Sequence, residues 1–194
     1  RGPLLQQHAT PDPTATEMAD IVIATKTMPK EDWKRAFLFA WAVQTFHCLG
    51  LTSDIAIAAQ QEAGISYRRF YERLLDYGFA HPHNLIGREA ACTAALIEEA
   101  LRGGPWGTVI PRFGPVVWPP EEASFLRLVD QLDAFYFHLI PFLAHHLQFV
   151  GPFDTQRKSV LRPDDPPFSG DRERYARETL WYSRKSLGKR KAPH

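Results

Sequence analysis

The chain has 194 residues, of which 44% are hydrophobic and 23% are charged, and its formal net charge is +1. This length predicts a single domain, and these proportions match ordinary globular proteins, which excludes a wholly disordered chain. Its two cysteines, Cys48 and Cys92, exclude a disulfide scaffold and any cluster held by three or more thiolates of this chain. No run of about 18 apolar residues lacks a charge, so the sequence indicates no transmembrane helix and no membrane partner.

The periodicity of the sequence divides the chain into four parts. Residues 1–19 are rich in proline and glutamine and predict an extended lead-in, and residues 20–150 predict a helical domain. Residues 151–170 are rich in proline and aspartate and predict a linker. Residues 171–194 form a basic C-terminal segment, in which residues 173–185 predict a last short helix.

The first elements of the helical domain are a short extended segment and a long helix. The branched apolar run 20–25 predicts a strand or an extended edge. A helix is expected from a cap at Thr27 or Met28 to about Cys48, stopped by the glycine two residues beyond. Because residues 37–43 are apolar all round, this helix should be central and buried, or covered by another domain.

Local cap and stop signals predict three further helices. They are a second helix capped by Thr52 or Ser53 and ending at Gly64, a third capped by Ser66 and ending at Gly78, and a fourth that follows a turn at 81–84 and ends near Arg102.

The rest of the domain predicts a small hairpin and a kinked helix. Val109-Ile110 and Val116-Val117 can form two short edge strands around Phe113-Gly114, flanked by prolines. Residues 119–147 predict one long helix that Pro141 must kink. The predicted fold is therefore mainly α: an irregular domain of about six helices, with one short extended segment and a small β-hairpin.

The residues show no self-contained active site. His138 and His145 lie two helical turns apart, roughly 10.5 Å along the axis, which is too far for both to bind one metal ion. His47 and Cys48 are adjacent on a helix and point about 100° apart, so they do not form a nucleophile and its base. No phosphate-binding loop is present. We therefore assign neither a metal site nor a catalytic residue to this chain.

Six stretches together carry a resemblance to a known family. They are IVIATKTM at 21–28, EDWKRAFLFAW at 31–41, QTFHCLG at 44–50, GISYRRFYE at 64–72, GTVIPRFGPVVWPP at 107–120 and YARETLWYSR at 175–184. This pattern resembles the region that follows the radical SAM barrel in cobalamin-binding-type radical SAM proteins, and it covers nearly the whole chain.

The resemblance implies a parent enzyme with a 4Fe-4S cluster, S-adenosylmethionine and, where the parent uses it, cobalamin. In that family a C-x-x-x-C-x-x-C motif holds the cluster and D-x-H-x-x-G marks the cobalamin site. This sequence has neither motif; its nearest approach to the second is Thr45, His47 and Gly50, with Thr45 in place of the aspartate. No cofactor ligand can therefore be assigned here, and the implied partner is a radical SAM barrel in the same or a separate chain.

The first hypothesis is accordingly a C-terminal accessory module that helps to shape the substrate pocket of a radical SAM enzyme and is inactive alone. The candidates for pocket-facing residues are polar or amphipathic groups set among apolar ones: Trp33, Arg35, Trp41, Gln44, His47, Tyr67 and Arg68. For each of them a core or surface role is the more common alternative.

The alternative hypothesis is a free-standing helical adaptor that binds a protein or a nucleic acid through its basic tail. Residues 171–194 hold eight lysines and arginines against three acids, a net charge of +5, which leaves −4 for residues 1–170. Only Tyr175, Trp181 and Tyr182 lie among these charges, so the sequence argues against a nucleic-acid partner. A basic terminus can also be merely solvated.

The N-terminal sequence bears on location and completeness. It begins with Arg1 and has no basic stretch leading into an apolar segment, as a secretory signal would. We therefore expect a cytoplasmic protein with reduced thiols, numbered from a processed start or cut from a longer chain.

Overall fold

A computed structural model describes residues 2–3, 18–19, 22–149 and 160. The described residues are mainly helical, which confirms the predicted fold class. The six α-helices are α1 Lys30–Ala42, α2 Ser53–Ala63, α3 Tyr67–Ala80, α4 Leu85–Ala100, α5 Pro120–Val129 and α6 Leu132–Pro141. The short strands are β1 Gly2–Pro3, β2 Met18–Ala19, β3 Thr108–Val109 and β4 Val117–Trp118, and they form two antiparallel pairs, β1 with β2 and β3 with β4.

Three of the predicted parts lie wholly or mostly outside the described residues. They are the linker 151–170 apart from residue 160, the basic segment 171–194 and most of the lead-in 1–19. The strand alternative for residues 20–25 is wrong where the structure describes them, since residues 22–25 form no strand. Thr25 and Met28 instead close a turn, in which the Thr25 amide donates to the Met28 carbonyl at 2.9 Å.

Local capping chemistry sets three of the helix ends. The Ser66 hydroxyl accepts from the Arg69 amide at 3.3 Å, and the Asn84 side-chain oxygen accepts from the Gly87 amide at 2.7 Å. Gly64 ends α2 in the left-handed conformation, at a φ of 65°. The cap predicted at Thr27 or Met28 is wrong, since the N-cap is Pro29 and the first helix begins at Lys30. The third helix runs to Ala80, two residues beyond the predicted stop.

Two helices continue into π-helical turns. α1 passes into Val43–Cys48 and α6 into Phe142–Leu147. The first of these turns carries the predicted long helix to Cys48, as expected. Such turns are rare and often occur at functional sites. In the second case the turn follows Pro141, which has no amide hydrogen for the α-helical ladder.

The prediction of a single long helix over 119–147 is wrong, because α5 and α6 are separate helices. Gln131 leaves the helical conformation, with φ −124° and ψ 39°. The Asp130 carboxylate at this break pairs with the Arg112 guanidinium. Arg112 belongs to a 3-10 turn, Pro111–Phe113, inside the predicted hairpin, which the pairing of β3 with β4 confirms. The ion pair therefore ties the end of α5 to the hairpin.

Aromatic side chains from distant elements build the core. Phe46 of the first π turn stacks on Phe135 of α6, with ring centroids 5.9 Å apart. Phe70 of α3 meets Phe142 of the second π turn edge to face at 5.6 Å. All four side chains are almost fully buried and belong to one continuous cluster. Both π turns are thus anchored in the core.

The contact between α3 and α4 is unusually close at one position. A Cβ atom placed on Gly87 would lie 2.2 Å from the His81 carbonyl oxygen and 2.5 Å from that of Gly78. Both oxygens belong to backbone that cannot move aside easily. Glycine at position 87 therefore allows the two helices to lie against each other.

The length and composition of a helix decide whether it could cross a membrane. Within the described residues, no single helix is both long enough and apolar enough. The helical stretch over 30–48 and α2 reach that length and composition only when taken together, and they are bent by 96° relative to each other.

His138 makes the stability of the fold depend on pH. Its Nδ1 atom accepts a hydrogen bond from the amide of Leu85, the first residue of α4, at 3.2 Å. Burial, together with the nearby charge of Arg88, lowers the pKa of His138 below its usual range. The unfolded chain therefore binds this proton more readily than the folded chain does. We expect the free energy of unfolding to fall as the pH falls below about 6.5.

Urea unfolding between about pH 7.5 and about pH 5 measures this dependence. His138→Gln keeps an acceptor but cannot titrate, so its stability should decrease less steeply with falling pH. Part of the slope should remain, since the pKa of His47 is lowered as well. An unchanged slope in His138→Gln would contradict the assignment.

Candidate functional site

A surface groove of about 610 Å3 separates α1 from α3. Its walls are mostly apolar, and charged groups stand at its rim. The lining residues are Asp32, Arg35, Ala36, Leu38 and Phe39 from α1, and Arg68, Glu72, Leu75, Asp76 and Phe79 from α3. The Phe79 side chain is 47% exposed, although it is large and apolar. A groove of this size and lining suits a molecule with an apolar part and a polar part.

The charges at the rim are paired within each helix. The Arg35 guanidinium lies 3.3 Å from the Asp32 carboxylate, and the Arg68 Nε donates to Glu72 at 2.7 Å. Asp76 adds a third carboxylate to the lining. The groove is therefore not a strongly positive site. Its arginines can donate hydrogen bonds to a ligand, and its carboxylates can accept them.

A polar cluster lies at the start of α3, where its residue Tyr67 directly precedes the groove residue Arg68 in the chain. The His47 Nδ1 atom lies 2.9 Å from the Tyr71 hydroxyl oxygen, which lies 3.2 Å from the Thr52 hydroxyl. The ring of Tyr67 is 5.3 Å from that of His47. Tyr71 and Thr52 are buried, whereas His47 is partly exposed and Tyr67 is exposed. The cluster thus runs from the interior to the surface.

Burial favours the neutral forms of His47 and Tyr71. It raises the pKa of the Tyr71 phenol far above its usual range. It also lowers the pKa of His47, an effect that the nearby carboxylate of Asp54 partly opposes. At neutral pH the cluster therefore contains an uncharged imidazole bonded to an uncharged phenol.

Four of the seven candidate residues fall in these two features. Arg35 and Arg68 line the groove, and His47 and Tyr67 belong to the polar cluster. Whether any of them contacts a substrate stays a prediction.

The other three candidates lie apart. Trp41 is 2% exposed in the core and donates from Nε1 to the Ser124 hydroxyl at 3.1 Å. The Trp33 ring packs against Trp106, with centroids 5.7 Å apart. Gln44 is exposed in the first π turn.

The sequence reasoning missed most residues of the site, and four of them show why. Leu75 and Phe79 line the groove, and Thr52 and Tyr71 complete the cluster. Tyr71 follows Tyr67 by one helical turn, a spacing that could have placed both rings on one face. Thr52 was expected to cap a helix; it stands at the N-cap position, but its hydroxyl donates instead to the Phe46 carbonyl at 3.0 Å.

The described residues do not fit an iron–sulfur cluster. Within the described ranges, no three His, Cys, Asp or Glu side chains are grouped so that they could hold a metal ion. Cys48 and Cys92 are the only thiols of the sequence, and both are exposed. A cluster needs three or four thiolates close together. We therefore assign no cofactor-dependent step to these residues.

Similarity to characterised proteins points to one class. No family model matches the chain. Over 92% of its length it is similar to proteins named as methyltransferases, one of them as a cobalamin-dependent radical SAM enzyme. The chain spans 29% of the length of each of these relatives.

Two of the proteins similar to this chain are described by their names. The chain is 30% identical to the cobalamin-dependent radical SAM methyltransferase TokK of Streptomyces tokunonensis. It is 25% identical to the 2-(S-pantetheinyl)-carbapenam-3-carboxylate methyltransferase of Streptantibioticus cattleyicolor. The similarity agrees with the family resemblance found in the sequence.

Proposed function

We propose that this chain is the accessory, substrate-pocket module of a cobalamin-dependent radical SAM methyltransferase. The observation that carries the proposal is the similarity over 92% of the chain to part of two methyltransferases. In such an enzyme the cluster, S-adenosylmethionine and cobalamin would bind to a radical SAM barrel and a cobalamin domain outside this chain. The chain itself would supply one wall of the pocket.

The groove between α1 and α3 supports this role. Within residues 37–43 only Trp41 and Ala42 are buried, so the alternative of a fully buried helix is wrong. The apolar side chains of Phe37, Leu38 and Phe39 remain partly exposed. Apolar surface of this kind is typical of a face that meets another domain or a ligand.

The first test is the reading frame that encodes the chain. A transcript in which the same frame also encodes C-x-x-x-C-x-x-C supports the proposal. A complete frame without that motif, in a protein that purifies without a radical SAM partner, contradicts it and leaves the adaptor hypothesis.

A second test uses the complete protein that contains the chain. The first substrate to try is the one named for the second relative, 2-(S-pantetheinyl)-carbapenam-3-carboxylate. Phe79→Ser removes an exposed apolar wall of the groove and should lower kcat/KM for methyl transfer about tenfold. Phe137→Ser is the matched control, since Phe137 is 71% exposed on α6 and does not line the groove. Equal effects of both changes would contradict a role for the groove.

A further inference from the structure

Four groups of the polar cluster form a continuous line of polar contacts. His47 Nδ1 lies 2.9 Å from the Tyr71 hydroxyl oxygen, which lies 3.2 Å from the Thr52 hydroxyl oxygen. The Thr52 hydroxyl lies 3.0 Å from the Phe46 carbonyl oxygen. Thr52 is 0% exposed and Tyr71 is 1% exposed, so water does not compete for their hydroxyl groups.

The Phe46 carbonyl, at the end of this line, fixes the direction in which the hydrogen bonds are donated. A carbonyl oxygen can only accept, and each hydroxyl has one proton to donate. If Thr52 donates to Phe46, its oxygen can only accept from Tyr71. Tyr71 has then used its own proton, so it can only accept from an Nδ1–H of His47. All three contacts become hydrogen bonds in this arrangement.

The opposite direction makes one hydrogen bond fewer. Tyr71 would donate to His47 Nδ1, and Thr52 would donate to Tyr71. The Thr52 hydroxyl would then have no proton for the Phe46 carbonyl, and that 3.0 Å contact would not be a hydrogen bond. Buried polar groups favour the arrangement with more hydrogen bonds.

We propose that Thr52 and Tyr71 hold neutral His47 with its proton on Nδ1, so that Nε2 stays an unprotonated acceptor for a hydroxyl or amide N–H of a bound ligand. Thr52 and Tyr71 are positioning residues, since they act through His47. The His47 side chain is partly exposed, and its ring centroid lies 5.3 Å from that of the exposed Tyr67. The tautomer is a property of this chain alone, so its measurement does not depend on the function proposed above.

Nitrogen-15 NMR of the imidazole in the full chain reads the tautomer directly. The wild type should show His47 protonated on Nδ1. Thr52→Val should shift the signals to the Nε2–H form, because Tyr71 then has no acceptor except His47 Nδ1. Thr52→Ser should restore the wild-type signals. Thr45→Val is the matched control: Thr45 is another buried threonine, and its hydroxyl bonds to Glu121 instead.

Tyr71→Phe gives a second measurement if Thr52→Val does not fold. Without the phenol oxygen, Nδ1–H has no acceptor, and the Nε2–H form should appear. The proposal is overturned if wild-type His47 carries its proton on Nε2, or if the folded variants leave its signals unchanged.

Diethyl pyrocarbonate, which acylates unprotonated imidazole nitrogen, tests access to Nε2. Mass spectrometry should find His47 modified at Nε2 in the wild type, and this modification should be lost in Thr52→Val. If His47 stays unmodified while the exposed His83 reacts, Nε2 is not available to a ligand and the proposal fails.

Discussion

Trp41→Ala should lower the free energy of unfolding by about 3–5 kcal/mol, because it removes one of the largest fully buried side chains from the core. Trp41 is 2% exposed, and its ring meets Phe46 edge to face at 5.6 Å. Its Nε1–H also donates to the buried Ser124 hydroxyl at 3.1 Å. The variant thus loses apolar burial and leaves a buried hydroxyl with one partner fewer. Chemical denaturation followed by circular dichroism measures the loss.

Two further variants separate these contributions. Trp41→Phe keeps a ring but loses the hydrogen bond, and it should cost about 1–2 kcal/mol. Trp33→Ala changes a partly exposed tryptophan of the same helix and should cost clearly less than Trp41→Ala. If Trp41→Ala cost less than about 1 kcal/mol, the core role would be wrong and a pocket role favoured.

Glu89→Ala should destabilise the fold by about 2–4 kcal/mol through the charge that it leaves unpaired. Arg127 donates to both carboxylate oxygens of Glu89, from Nε at 2.9 Å and from a terminal nitrogen at 2.6 Å. The Glu89 side chain is 8% exposed and that of Arg127 is 31% exposed. Because Arg127 still reaches solvent, the expected loss is somewhat smaller than for a fully buried pair.

The double variant E89L/R127M distinguishes a lost attraction from an unpaired charge. It removes both charges and keeps apolar volume, so its stability should recover most of the loss. Glu98→Ala is the matched control on the same helix, since Glu98 pairs with Lys34 on the surface and should cost little. A double variant as unstable as Glu89→Ala would show that the loss comes from packing.

Local signals made some helix ends predictable, whereas features that depend on tertiary contacts were not predictable. Ser66 and Gly64 act through their own backbone neighbourhood, so their positions could be read from the sequence. The break after α5 has no glycine or proline to mark it. The Asp130 carboxylate there pairs with Arg112, which lies in another element, and sequence periodicity carries no such information.

The candidate site shows the same difference between local signals and tertiary contacts. Arg35 and Arg68 stood out because they are charged residues among apolar ones. The groove between them exists only because α1 and α3 lie side by side, which no local pattern reveals. Thr52 shows how a local reading can be incomplete, because its hydroxyl bonds to Phe46 and Tyr71 as well as standing at a helix start.

The close approach at Gly87 has a consequence for comparing sequences. Any side chain at this position would meet the backbone oxygens of His81 and Gly78. Chains that share this helix pair should therefore keep glycine at position 87, even where the surrounding identities have diverged. An alignment of distant relatives can use this glycine as a fixed point that joins the third helix to the fourth.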